Sequence, residues 1–238
     1  MKHKFVNVIC VKHGTLFSHT YVNTLYNMVK RHCSLPFKFY CLTEDNSNIN
    51  SDITCLPLPN ISAKGWWYKP YIFSNKLPLK GNVLYLDLDL VIIDNIDKLF
   101  QHMPKKMCII RDFVRVQAPA MNRFNSSVIK FTAGKYNYIW EEFAKNPKLI
   151  AAQYRGDQDY LYRVAGKTAT YFPDEWIRSY KWEMRSSPRT DITKEKNERK
   201  FKTIERKIST PKDCCIAAFH GDPRPHNCED PYILERWK

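Results

Sequence analysis

Asn82-Val83-Leu84-Tyr85-Leu86-Asp87-Leu88-Asp89-Leu90-Val91-Ile92-Ile93 is the stretch on which the reading of this chain turns. Nine of its twelve residues are apolar or aromatic, and a short apolar run of this kind predicts a buried strand. Side chains alternate faces along a strand. Asp87 and Asp89 are therefore expected on one face, and Leu86, Leu88 and Leu90 on the other. Two ionised carboxylates about 4 Å apart repel by about 4 kcal/mol at an effective dielectric near 20. A divalent cation would remove that repulsion. Hard oxygen ligands suit Mg²⁺ or Mn²⁺, and a diphosphate can complete the shell. A plainer reading stands beside this one. Asp-x-Asp arises by chance, as at Asp157-Gln158-Asp159, and an aspartate at a strand end can cap the next helix, the role expected of Asp94.

Working outward, apolar runs predict strands over 5–11, 37–43 and 53–58 before this segment, and over 106–111, 127–131 and 214–219 after it. Helical spacing predicts helices over 19–31, 66–77, 95–102, 136–144 and 157–165, with Pro70 tolerated only in a first turn. Strands alternating with helices over the first 100 residues predict βαβ units, an α/β class and a mostly parallel sheet. Nucleotide ligands of such sheets sit beyond the carboxyl ends of the strands.

The 238 residues can bury one large core or two small ones. No stretch approaches the roughly 20 apolar residues that span a bilayer, and the run over 5–11 is too short for a signal-peptide core. A cytoplasmic protein is expected. Eight cysteines without a Cys-x-x-Cys pair, several in apolar runs (Cys10, Cys41, Cys108), read as buried thiols rather than a disulfide framework. The formal charge is +14, which favours anionic partners. Between Arg178 and Lys212, twelve basic residues face five acidic ones, +7 in 35 residues. That segment reads as a surface excursion or partly mobile lid. It is either a solvated face or a contact for an anionic membrane surface or an acidic glycan.

Asp87-Leu88-Asp89, with the run from Tyr85 to Phe100, resembles the metal-binding segment of GT-A glycosyltransferases, above all the family-8 type that includes glycogenin and the lipopolysaccharide galactosyltransferases. Three further segments resemble that family's elements in the same order: Phe124-Asn125-Ser126-Ser127-Val128, Gly156-Asp157-Gln158-Asp159-Tyr160-Leu161, and Phe219-His220-Gly221-Asp222-Pro223-Arg224-Pro225. Together the matches span about residues 5 to 226. Ser127 stands where the family has Gly, Arg224 where it has Lys, and the His-to-Gly spacing is compressed to adjacent residues.

The resemblance implies one GT-A domain over 1–238, Rossmann-like, with a nucleotide-binding half over about 1–100 and an acceptor half over about 101–238. It implies transfer of a sugar, with retention, from a nucleotide-diphosphate donor of UDP type to an acceptor hydroxyl on a glycan, lipid-linked or protein acceptor. Asp87, Asp89 and His220 would hold Mn²⁺ or Mg²⁺. Tyr21, Lys69, Asp87, Asn125 and Arg224 would bind the donor, with the Lys12-His13-Gly14 turn beside its base and ribose. Asp157, Gln158 and Asp159 would stand at the reacting carbon. By residue type alone, His220 reads equally as a satisfied strand-end histidine, Lys69 as a helix-face lysine, Arg224 as a surface cation and Asp159 as a helix-start charge. Trp66, Trp67 and Tyr68 read as packing aromatics.

Three rivals compete with this reading. A basic nucleic-acid-binding module would explain the charge, but no RNP, KH or zinc-finger pattern is present, so no specific nucleic acid is expected. A metal-dependent nucleotidyltransferase would also use paired carboxylates, but it needs a glycine-rich phosphate loop where only Gly14 is available. A zinc site from Cys215, His220, His226 and Cys228 lacks the paired cysteines that usually accompany such spacing.

Overall fold

The computed structural model describes residues 5–184 and 212–238, together with the backbone of 189–195 and 198–204. The chain opens with β1 (Val6–Val11), α1 (His19–His32), β2 (Phe37–Leu42) and β3 (Ile53–Leu56). It continues through β4 (Asn82–Leu86), β5 (Leu90–Ile92), α2 (Asp97–Gln101), β6 (Cys108–Arg111) and β7 (Phe124–Thr132). Three helices follow: α3 (Asn137–Lys145), α4 (Pro147–Gln153) and α5 (Asp157–Ala165). The rest comprises β8 (Thr170–Tyr171), β9 (Ile177–Ser179), β10 (Arg189–Glu195), β11 (Glu198–Ile204), β12 (Ile216–Ala218) and α6 (Pro231–Leu234).

Seven strands form the central sheet in the order β3-β2-β1-β4-β7-β6-β8. The β1–β2, β2–β3, β1–β4 and β6–β8 pairs are parallel, while β7 runs antiparallel to both of its neighbours. The α/β class and mostly parallel sheet expected from the sequence are present. Alternation along β1 divides the core. Val8 and Cys10 pack with Leu25, Met28 and Val29 of α1 on one face. Ile9 packs with Trp67, Phe131, Ile139, Phe143 and Leu161 on the other.

The segment 82–93 is not the single strand its apolar run predicts. β4 stays in the central sheet, and the Asp87 amide still donates to the Ser127 carbonyl at 2.8 Å. Leu88 and Asp89 then make a turn, and β5 joins a second, three-stranded sheet between which and β9 lies β12. Leu88, Leu90, Val91 and Ile92 are all buried, so the second half of the run is covered on both faces. Strict alternation therefore does not govern Asp87 and Asp89. They flank a corner where the chain changes sheets.

Other differences have local causes. The helix expected over 66–77 is a 3₁₀ segment, Gly65–Phe73, with Pro70 inside it; proline offers no N–H to an α-helical ladder. Asp94 does not cap α2. Its Oδ1 accepts from the adjacent Asn95 amide at 2.7 Å, and the cap position is Ile96. All eight cysteines are unbridged. Of the basic segment, β10 and β11 form an antiparallel hairpin. Residues 185–188, 196–197 and 205–211 lie outside the described residues, and with them most of what bears on the expected lid.

Candidate functional site

The carboxyl ends of the parallel strands β1 and β4 lie side by side in the sheet, the position at which open α/β sheets bind ligands. A cleft of about 270 Å³ opens there. Val11, His13 and Phe17 line it from the β1 side, Trp66 and Lys69 from the 3₁₀ segment, and Tyr85, Asp87 and Asp89 from β4 and the corner.

Lys69 organises its floor. The side chain is buried, and its ammonium lies 3.1 Å from Asp87 and 3.2 Å from Asp157. It also donates to the Ser126 hydroxyl at 2.9 Å and to the Ser126 carbonyl at 3.3 Å. The Ser126 hydroxyl donates in turn to Asp157 Oδ2 at 2.6 Å. Burial alone would push the lysine's pKa down, but the charges of Asp157 and Asp87 outweigh it and hold the ammonium more firmly protonated than usual. The Tyr85 hydroxyl donates to Asp87 Oδ1. Four segments far apart in the chain are thus tied to one cation.

The fold sets each member. Tyr85 and Asp87 are two residues apart at the end of β4 and so project to the same side. Ser126 is presented where the pairing of β6 with β7 slips: Ile109 faces Ile129, yet Ile110 faces Asn125. Asp157 is the first residue of α5, where a carboxylate is favoured by the helix dipole.

Asp89 differs from its neighbour. Burial first, then the charge of Asp87, raises its pKa to about 7, with Lys69 and Arg224 opposing. Among the described residues, its carboxylate has no ion-pair partner. Such an acid beside a second carboxylate fits a divalent cation, with both residues supplying hard oxygens. Among the described residues no three His, Cys, Asp or Glu side chains are gathered into a metal-holding group. The Phe219 amide donates to the Asp89 carbonyl at 3.1 Å, so His220 starts nearby. Its ring, however, stacks on Phe113 and meets Trp182 edge-on. Its Nε2 lies 2.6 Å from the Ser179 hydroxyl.

The remaining expected residues divide in the same way. Arg224 sets its guanidinium 4.9 Å over the Phe17 ring and acts electrostatically on Asp89 and Tyr21, so it borders the cleft. Tyr21 is buried at this border, its hydroxyl paired with His226 Nδ1. Gln158 donates to Asp112 at 3.3 Å. Asn125 accepts from the Ser127 amide two residues on at 3.0 Å. Asp159 stands apart: it pairs with Arg155 at 3.0 Å and lines a separate surface groove. Ser126 and Tyr85 are site residues that the sequence pattern does not single out. In β7, buried positions alternate from Phe124 through Ser126 to Val128, so a serine at a core-facing position was the available signal. Trp66 is also unlike its expected packing role, being 56% exposed at the cleft, whereas Trp67 is stacked on Phe143 at 5.7 Å.

This fold recurs among solved structures of glycosyltransferases. The chain superposes on the galactosyltransferase LgtC, in complex with donor and acceptor sugar analogues, with a TM-score of 0.66 and 13% identity, covering 97% of this chain and 93% of that one. On the glycosyltransferase GlyE of Streptococcus pneumoniae TIGR4 the score is 0.58 with 17% identity, covering 74% of this chain and 48% of that one, so the chain spans about half the length of GlyE. On the bifunctional glycosyltransferase WbbM it is 0.61 with 13% identity, over 98% of this chain and 49% of that one. No family model and no curated protein sequence matches the chain. The fold is that of the GT-A glycosyltransferases, as the resemblance to family 8 implied.

Proposed function

We propose that the chain is a glycosyltransferase that moves a sugar from a nucleotide-diphosphate donor of UDP type to an acceptor hydroxyl, on a glycan, lipid-linked or protein acceptor. The observation that carries this reading is the cleft at the ends of β1 and β4, where Asp87 and Asp89 flank the corner and Lys69 fixes Asp87 from below. Mn²⁺ or Mg²⁺ would be held there by Asp87 and Asp89, with His220 as the third protein ligand that the resemblance implies and donor oxygens completing the shell. When bound, the cation would act as a Lewis acid that neutralises charge on the departing diphosphate.

The protein's own groups do the rest. Lys69 and the Tyr85 hydroxyl hold the Asp87 carboxylate in one orientation. Arg224, whose guanidinium lies over the Phe17 ring, would pair with a diphosphate through its fork of N–H donors. The Asn125 Oδ1 accepts from the Ser127 N–H, and its NH₂ would donate to a hydroxyl of the donor. Retention of configuration is proposed from the resemblance to family 8, and neither aspartate weighed as the base of an inverting reaction stands unengaged. Asp157 is bound to Lys69 and Ser126, and Asp159 lies in another groove with Arg155. No helix among the described residues is long and apolar enough to cross a membrane. The eight free thiols support a reducing compartment such as the cytoplasm.

A screen of nucleotide sugars with Mn²⁺ or Mg²⁺ tests the reading. Metal-dependent release of a nucleoside diphosphate from one of them is the expected result. Release of pyrophosphate from nucleoside triphosphates would instead identify a nucleotidyltransferase.

A further inference from the structure

A second concavity lies along the outer face of α5. Residues spaced by three and four form one stripe on a helix; Asp159, Tyr162 and Arg163 follow that spacing, and Lys167 lies in the turn just after α5. Arg155 precedes them, and Arg123 and Tyr154 close the opposite wall. The groove measures about 610 Å³, within the span of about 300–1,000 Å³ usual for small-ligand sites. Four cations line it against one carboxylate. Asp159 is engaged by Arg155, and Arg123, Arg163 and Lys167 have no acidic partner among the described residues. Tyr162 is 41% exposed, and its ring is braced edge-on against Phe124 at 5.1 Å. Two tyrosine rings among unpaired cations suit a ligand with both a sugar face and a negative charge.

We infer that this groove binds the acidic group of a phosphorylated or carboxylated glycan acceptor. The proposal rests on the glycosyltransferase reading above and deepens it. The donor's own negative charge is assigned to the cleft on the other side of the helix start. Within the first turn of α5, Asp157 faces Lys69, Gln158 faces Asp112, and Asp159 faces the groove. Arg163 is six residues beyond Asp157 on α5, about 9 Å along the axis, so an acceptor whose acidic group sits in the groove would extend past the helix start to reach the cleft. A concave site with aromatic walls selects a glycan over a flat bilayer.

The test uses the full chain and three probes: a phosphorylated disaccharide, the same disaccharide without phosphate, and vesicles of phosphatidylglycerol. Calorimetry should find the phosphorylated sugar bound at least about tenfold more tightly than its neutral form, and more weakly as salt is raised. The Arg163→Gln/Lys167→Gln double variant should lose about 100-fold, tenfold for each cation, with its melting temperature and UDP binding unchanged. Equal binding of the two sugars, binding of neither, or an unaffected double variant would overturn the proposal. Vesicle binding that depends on these two cations, without sugar binding, would assign the groove to a lipid surface instead. If UDP itself fails to bind, the donor reading falls while the sugar-phosphate result still judges the groove.

Discussion

Replacing Lys69 with methionine removes a cation shared by Asp87 and Asp157 while keeping much of the side chain's length. The lysine and Asp157 side chains are 7% and 8% exposed, and Asp87 is 25% exposed. A pair this buried is little screened, and removing one partner strands the other. Such a loss costs about 3–5 kcal/mol. For a chain of this size each kcal/mol shifts the melting temperature by about 2–4 °C, so Lys69→Met should melt about 6–20 °C below the parent. Urea unfolding at neutral pH with both variants supplies the free energy. The companion Lys69→Met/Asp157→Leu variant should recover part of the loss, because an apolar pair can replace a buried ion pair at little cost. The wild-type contribution has a definite pH sense. The folded-state pKa of Lys69 lies above its ordinary value of 10.5, so the stabilisation is complete at neutral pH and is lost as pH rises through the folded value. A Lys69→Met chain as stable as the parent at pH 7 would refute the buried-cation argument.

Other perturbations separate packing from chemistry. His220 is pushed below its usual pKa, by burial first and then by Lys181, so folding favours its neutral form and stability falls as pH drops below about 6.5. A His220→Gln chain should show a shallower loss of urea midpoint between pH 7.5 and 5.5; an unchanged slope would contradict that account. Trp67→Ala should cost about 3–5 kcal/mol in thermal or urea unfolding, because it empties a buried stack on Phe143. Trp66→Ala, at the exposed cleft wall, should leave stability within about 0.5 kcal/mol.

Much of the fold could be read because its elements are locally patterned. α1 and α5 carry strong helical spacing, and β1 and β2 are mostly apolar runs, each broken once, by Asn7 and by Lys38. The break at Asp87 could not be read in the same way. Leu90–Ile92 is as apolar as Asn82–Leu86, and the change of sheet is dictated by Ile216–Ala218, more than a hundred residues away. Lys69 and Asp157 stood out through their segments' resemblance to a known family, but their contact is a product of tertiary packing. The sequence pattern that ranked His220 with the aspartates cannot report a ring rotamer. Phe113 and Trp182, which hold that ring toward Ser179, are remote from it in the chain. Asp157 and Asp159 were grouped by proximity in sequence, yet two residues on a helix differ by about 200° in direction, which sends one to the cleft and the other to the basic groove.

The most direct measurement is UDP binding by calorimetry, with and without Mn²⁺, to the parent chain and to Asp89→Asn. The account predicts binding that requires the metal in the parent. In the variant it should weaken by at least the 10- to 100-fold, approximately, that outer-shell partners of a metal contribute. UDP binding of equal strength without metal, or undiminished in Asp89→Asn, would contradict it.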